Sequence, residues 1–279
     1  MMTRYYKVAG HTFAVNGSDE LFKQMRNYEP FRCEGGEPLF TLTECSGVVP
    51  EYTEVFRMSK HLIYGHDASE NDVIVFTSDK NIRTCLICSK DRRESRLIMP
   101  DGISKVGVDR VIWMMFSLAT AEKDTLVLHA VVVSCKGKGY LFIAPSGTGK
   151  STHARLWLEH IEGTELVNDD YPVVRGDMVY GSPWGWKTPC NRNVSYPIGG
   201  IVLLSQAPYN KIRRLSGIEA YMCLTWSIIG GESSRIAEGL HETANALAST
   251  IPMWHLECLP DEAAARLCHD TMLNKNGIE

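Results

Sequence analysis

The chain lacks any long apolar run. Its richest stretch, Val111 to Leu118, is short and follows Asp109 and Arg110, well under the roughly 18 to 20 apolar residues that a membrane-spanning helix needs. No membrane partner is expected. A dense Lys/Arg stripe interleaved with aromatics is also missing, and a formal charge of −4 with a pI near 6.2 offers no positive field to collect nucleic-acid phosphates. Nucleic acid is therefore not an expected partner. The opening segment, MMTRYYKVAGHTFAV, has no basic stretch followed by an apolar core and a small-residue cleavage site. Nine cysteines run from Cys33 to Cys268 with no disulfide-like rhythm, which suits a reducing compartment, so the expected location is the cytoplasm. Cys85 and Cys88 form a lone C-x-x-C, but no second ligand pair follows at comparable spacing, and no zinc site is expected there.

What is present is enough apolar material for a folded protein. With 279 residues and 44% hydrophobic content, the chain can bury one sizeable core or two modest ones. The first hundred residues read as short strands broken by Gly, Asp and Asn: Tyr5 to Val15, Phe40 to Thr43, Thr53 to Met58, Val73 to Ser78, Arg83 to Ser89 and Ser95 to Met99. They predict a β-rich domain over 1–102, suited to substrate recognition, a lid or self-association. Pro100-Asp101-Gly102 is a turn signal and marks the expected boundary with a second domain over 103–279.

Ser104 to Glu122 carries apolar residues at near-helical spacing, after which LVLHAVVVS and GYLFIAP read as buried strands joined by the hairpin-like Cys135 to Gly139. The pattern then alternates. A helix is expected over Ser151 to Glu162, closed by Gly163, with strands at Val173 to Tyr180 and Ile198 to Ser205. Ser216-x-x-Glu219 forms a capping box opening a helix to about Ile229. A helix near Ser233 to Ser249, a strand at Met253 to Cys258 and a last helix after Asp261 complete a mixed α/β (α+β) chain without internal repeats.

Ala144-Pro145-Ser146-Gly147-Thr148-Gly149-Lys150-Ser151 matches the pattern G-x-x-x-x-G-K-[ST] at every fixed place but the first, where Ala stands for Gly. Glycines there let successive backbone N–H groups turn inward, and the following helix adds the positive end of its dipole. The segment Ser146, Gly147, Thr148, Gly149, Lys150, Ser151 and Thr152 is thus the expected seat of the ATP phosphates. Lys150 supplies a charge for the β- and γ-phosphates, and the Ser151 hydroxyl supplies an oxygen for Mg²⁺, which takes its other ligands from carboxylates, water and nucleotide. A strand before the loop and an amphipathic helix after it provide the context this motif requires.

Asn168-Asp169-Asp170 lies just beyond the expected helix, after Leu166-Val167. Two neighbouring carboxylates beside Mg²⁺ can divide the work, one as metal ligand and one as base toward an attacking hydroxyl. Read by composition alone, such a triplet is more commonly a turn, here before Tyr171-Pro172. His129, inside LVLHAVVV, reads on chemistry alone either as a hydrogen-bonded core residue or as a catalytic one.

In order, the Leu-His-Ala strand, the short hairpin, Ser-Gly-Thr-Gly-Lys-Ser-Thr and the Asp-Asp pair resemble the kinase domain of the HPr kinase/phosphorylase family and, through it, the nucleotide site of phosphoenolpyruvate carboxykinase. Looser likenesses follow at Gly181-Ser182-Pro183, Trp186-Lys187 and Pro197 to Leu204. Ile212 to Ser216 and Leu256 to Ala263 are similar to segments of HPr-kinase-like proteins associated with peptide-modification gene clusters. The resemblance implies a P-loop kinase core behind a smaller β-rich domain. It also implies Asp169 as base, Asp170 as a second metal contact and His129 beside the transferred phosphate. Lys187, Arg213 and Arg214 become candidates for phosphate or substrate contacts, with solvated surface charge as the alternative.

Two departures limit what carries over. The family's long glycine-rich signature tied to phosphorylase activity is not recognisable, and the first hundred residues do not match the regulatory domain of HPr kinases. The expectation is an ATP- and Mg²⁺-dependent kinase acting on a protein, peptide or small-molecule hydroxyl, with serine in a protein or peptide favoured. A small-molecule kinase, a carboxykinase-like enzyme and a non-catalytic nucleotide-binding regulatory module are the alternatives. Self-association stays open.

Overall fold

The computed structural model describes residues 1–59, 61–185, 188, 190–229 and 236–273. It divides into two compact units, the first built on Met1–Ala121 and the second on residues from Glu122 onward, apart from Ile236 and Ala237, which go with the first. Each carries a mixed sheet of nine strands among the described residues. No described helix is long and apolar enough to cross a membrane.

In the first unit the sequence run Tyr5 to Val15 is a hairpin rather than one strand: β1 (Met2–Val8) and β2 (His11–Gly17) pair in antiparallel register around Ala9 and Gly10, both at positive φ. α1 (Asp19–Gln24) follows, capped by the Ser18 side chain, and then a 3-10 turn over Arg26–Phe31. After β3 (Arg32–Cys33) come β4 (Thr41–Cys45), β5 (Thr53–Ser59), β6 (Leu62–His66), β7 (Asp72–Thr77), β8 (Arg83–Cys88) and β9 (Glu94–Ile98). Their order across the sheet is β3-β1-β2-β4-β9-β8-β7-β6-β5. Cys85 sits in an apolar cluster with Val73, Val75, Ile87 and Ile98.

The boundary expected at Pro100–Gly102 falls instead after Ala121. The helix α2 (Lys105–Thr120) packs on β7 and β8 and so belongs to the first unit. The approach is close: a Cβ on Gly107 would come within 2.0 Å of the Thr84 hydroxyl oxygen. Phe116 from this helix meets Phe13 edge-on at 6.3 Å, and the buried Asp109 carboxylate is held by Lys105 at 2.6 Å and Asn27 at 3.1 Å. A helix of 16 residues, most of them buried, outweighs a turn signal in deciding where the first core ends.

The second unit holds β10 (Thr125–Val127), β11 (Ala130–Cys135), β12 (Lys138–Ile143), α3 (Lys150–His160), β13 (Glu165–Asn168), β14 (Val173–Arg175), β15 (Met178–Tyr180) and β16 (Ser195–Gln206). Next come β17 (Lys211–Arg214), α4 (Gly217–Thr225), α5 (Ala237–Thr250), β18 (Met253–Cys258) and α6 (Glu262–Leu273). The sheet runs β10-β14-β15-β16-β12-β11-β13, with β18 beside β16 and β17 beside β18. β12 is parallel to β16, and β16 is parallel to β18. The Ser216–Glu219 capping box forms as read.

One sheet face is covered by α3 and α6. Tyr140, Phe142, Trp157, Val202, Leu256 and Cys268 are buried there in one cluster. Each of the larger side chains contributes about 1.5–3 kcal/mol through burial. Trp157, fully buried, meets Phe142 edge-on at 5.5 Å and Tyr140 at a tilt at 5.3 Å, and so fixes α3 on the strand that precedes it. This packing sets the direction of the loop between β12 and α3.

Candidate functional site

The apolar run LVLHAVVV is not one strand. β10 pairs with β14, whereas β11 pairs with β12 and β13, so the chain changes partners at Leu128 and His129. Those two residues are held on both sides. The Leu128 N–H donates to the Pro172 carbonyl at 3.1 Å, and the His129 N–H donates to the Ser227 carbonyl at 2.7 Å. His129 thereby sits at the start of β11 with its side chain about one quarter exposed.

Register then collects the sequence motifs. Ala130 stands opposite Ile143, the last residue of β12 before the glycine loop, and the Ala130 N–H donates to the Asp170 carbonyl at 3.0 Å. Loop start, His129 and the two aspartates therefore lie at one end of three adjacent strands, about 4.8 Å apart from strand to strand. The His129 Nε2 and Asp170 Oδ1 atoms are 3.4 Å apart, and the imidazole stacks on the Tyr171 ring at 5.7 Å.

The loop has the backbone its glycines allow. Gly147 and Gly149 have φ of 82° and 117°, values costly for other residues, and an added Cβ at either would meet no atom within 4 Å. Gly149 is the N-cap of α3 and supplies no side-chain cap, so the first-turn N–H groups of that helix are not consumed by a capping side chain. Ser146, Gly147 and Ser151 are exposed, and Thr148, Gly149 and Thr152 are half-buried. Lys150 is buried, with its ammonium donating to the Ala144 carbonyl at 2.8 Å. At the far side, Gln206 Nε2 at the end of β16 donates to the Thr148 carbonyl at 3.2 Å.

The aspartates rest on a buried polar frame that the sequence reading did not single out. Asn168 accepts from the Asp170 N–H at 2.9 Å and donates to Ser182 Oγ at 3.0 Å. Ser182 Oγ in turn donates to the Tyr171 carbonyl at 2.6 Å, and the Tyr171 N–H donates to the Trp184 carbonyl at 3.2 Å. Asn168 and Ser182 are both wholly buried. Asp169 accepts from the Thr188 N–H, and a Cβ on Gly185 would lie 2.5 Å from its Oδ1. Burial, and then the Asp169 charge, push the Cys190 thiol up to about 12, so this neighbour stays protonated. Burial pushes the His153 imidazole on α3 down to about 4, so it is neutral where it accepts from Trp157 Nε1 at 3.2 Å.

The basic candidates are placed differently. Arg213 forms a two-pronged pair with Glu219, at 3.1 and 2.8 Å, which ties β17 to the start of α4. The Arg214 guanidinium lies 4.9 Å over the Trp254 ring. Both stand on β17, three strands from β12 along β12-β16-β18-β17, and each has a structural partner. Lys187 lies outside the described residues.

A triphosphate with Mg²⁺ fits this arrangement: an uncapped helix start, two positive-φ glycines and a buried ammonium form an anion cradle. The Ser151 hydroxyl and the Asp170 carboxylate could hold the metal. Among the described residues no group of three or more His, Cys, Asp or Glu could hold a metal by itself. Mg²⁺ asks for less, one or two carboxylates with water and phosphate oxygens. No family model matches the chain, and no curated protein matches it significantly.

Proposed function

We propose that the chain is an ATP-dependent kinase that transfers the γ-phosphoryl group to a hydroxyl, with serine of a protein or peptide as the favoured acceptor. The observation that carries this reading is the row Ile143–Ala130–Asp170, which brings the glycine loop, His129 and the aspartate pair to one end of the sheet. A regulatory nucleotide sensor has use for the loop alone. The frame of Asn168 and Ser182 under the aspartates is better suited to a site where carboxylates must be aimed.

In this reading the backbone N–H groups from Ser146 to Thr152 bind and orient the triphosphate, and Lys150 places its ammonium against the β- and γ-oxygens. Ser151 and Asp170 hold Mg²⁺, which when bound neutralises phosphate charge. Asp169 takes the proton from the acceptor hydroxyl as the new O–P bond forms and the bond to the β-phosphate oxygen breaks, so ADP leaves. His129 fixes the Asp170 carboxylate from 3.4 Å and lies beside the path of the transferred group. Burial of Lys150 and the aspartates strengthens each of these electrostatic contacts relative to water.

The test is incubation of the pure protein with Mg²⁺ and γ-labelled ATP and candidate acceptors, both peptides and small alcohols. Label in a peptide serine supports the proposal as stated. Label in a small molecule moves it to a metabolite kinase. Tight ATP binding without transfer to any acceptor, in the presence of intact aspartates, makes the chain a nucleotide-binding regulatory module instead.

A further inference from the structure

The two sheets end in strands of very different length. Among the described strands the free edges are β3 with two residues, β10 with three, β13 and β17 with four each, and β5 with seven. An edge offers unpaired N–H and C=O groups to a strand of any other chain, and very short edge strands are a usual defence against that. Of these five edges, β5 alone lacks it.

On one side β5 pairs with β6, and on the other with no described strand. Its sequence TEVFRMS holds neither Pro nor Lys, the residues that commonly blunt an edge. Residues 53–57 are all exposed, with Val55 57% and Phe56 39% accessible. Two adjacent apolar side chains therefore stand at the longest open edge of the molecule described.

The charges beside them are arranged by a bulge. Register against β6 passes from Glu54 opposite Gly65 to Phe56 opposite Tyr64, which leaves Val55 as an extra residue. In a regular strand, residues three apart face opposite ways. Here the bulge brings Glu54 and Arg57 to one face, where Arg57 Nε donates to Glu54 Oε1 at 2.9 Å.

An edge of like charges repels its own copy, but an acid and a base on one face do the reverse. A second β5 laid antiparallel, about a two-fold axis passing between Val55 and Phe56, sets its Arg57 opposite Glu54 and its Glu54 opposite Arg57. The match is the same in both directions, as a two-fold contact requires. Opposite charges facing each other across a strand pair are favourable.

We infer that β5 is a self-association edge, on which a second copy of this chain pairs antiparallel and joins two nine-stranded sheets into one. Val55 and Phe56 lie at the axis and are covered by the copy. One strand pair is small beside the roughly 1,200–2,000 Å² of a stable interface, so the dimer forms and dissociates with concentration. The inference is independent of the nucleotide site.

Sedimentation velocity on the full chain over a range of concentrations tests it, with Glu54→Arg and Arg57→Glu as variants. The wild type should pass from monomer to dimer as concentration rises. Each variant alone sets like charges opposite each other and should dimerise at least fivefold more weakly. Mixed in equal amounts, the two should form a heterodimer about as tight as the wild-type dimer, because a doubly positive edge then faces a doubly negative one. The mixture mends no pair within a single chain, so its recovery reports a contact between chains. Urea midpoints close to wild type, expected for so exposed a pair, show that the variants are folded. A wild-type mass that does not rise with concentration overturns the inference. Variants that dimerise as the wild type does overturn it too, by placing the contact elsewhere. Folded variants that stay monomeric when mixed also overturn it, because Glu54 then does not meet Arg57 of a second copy.

Discussion

Asn168 Oδ1 accepts the Asp170 N–H at 2.9 Å, so a wholly buried amide, two residues back, aims the second carboxylate of the pair. The same amide donates to Ser182 Oγ, which reaches the Tyr171 carbonyl. Three short segments are thereby locked through one side chain. A turn held only by solvated Asp residues would need no such support.

Asn168→Ala should therefore do two things. Leaving the buried Asp170 N–H without its acceptor costs about 1–3 kcal/mol, visible as a lower midpoint in urea, whereas Ser182 Oγ keeps the Tyr171 carbonyl and the Trp184 N–H. Turnover should fall at least tenfold, while the Kd for Mg²⁺-ATP changes little. Unchanged turnover in a destabilised protein would confine Asn168 to a stability role.

Gly185→Ala tests the placement of Asp169 without removing it. The new Cβ would sit 2.5 Å from Oδ1, so the carboxylate must move, and a shift near 1 Å can cost about 100-fold in rate. The expected result is a kcat lowered tenfold or more with nucleotide affinity retained. A wild-type kcat would show that the carboxylate has no exacting position to keep.

Arg213→Ala separates the two uses of that residue. Its pair with Glu219 lies in solvent, where such pairs add little, so stability should barely change, and neither nucleotide affinity nor kcat should fall more than twofold. A tenfold rise in the acceptor KM would instead identify Arg213 as a substrate contact.

Stability should also depend on pH through His153. Its folded pKa is lowered to about 4, below the ordinary value near 6.5, so between these values the unfolded chain binds a proton that the native protein refuses. Stability is thus unaffected by this group above pH 7, declines as the pH falls from about 6.5 to 4, and loses at most about 3 kcal/mol in total. His153→Gln should flatten that part of the stability curve, as read by urea midpoints at pH 7 and pH 5.

Local patterns carried much of this architecture. The helices at α2, α3 and α6 and the capping box at Ser216 and Glu219 follow from spacing and cap chemistry, which act within a few residues. Glycine at Gly147 and Gly149 signals its own positive φ. Pairing partners are another matter. Nothing within LVLHAVVV says that the chain leaves β14 for β12 and β13 at His129, and nothing within Val173 to Tyr180 beyond Gly176 says that it folds into the hairpin of β14 and β15.

The same holds for the site. Lys150 and the aspartate pair stood out in the sequence as a Lys after Gly-Thr-Gly with adjacent carboxylates downstream, and the fold brings both to one end of the sheet. Asn168 and Ser182 did not, because a buried amide and hydroxyl declare their role only through partners 14 residues apart in sequence. Gly181-Ser182-Pro183 stood out as a motif, without the contact that gives it meaning. Arg213 became a candidate through the family resemblance, and Glu219, six residues on, is the partner it pairs with here.

The central claim is that Asp169 takes the proton of an acceptor hydroxyl at an assembled triphosphate site. Asp169→Asn, assayed beside the wild type for Mg²⁺-ATP affinity and for single-turnover phosphoryl transfer, tests it most directly. The account predicts a Kd within about threefold of wild type and a transfer rate lowered at least 100-fold; transfer at the wild-type rate would contradict it.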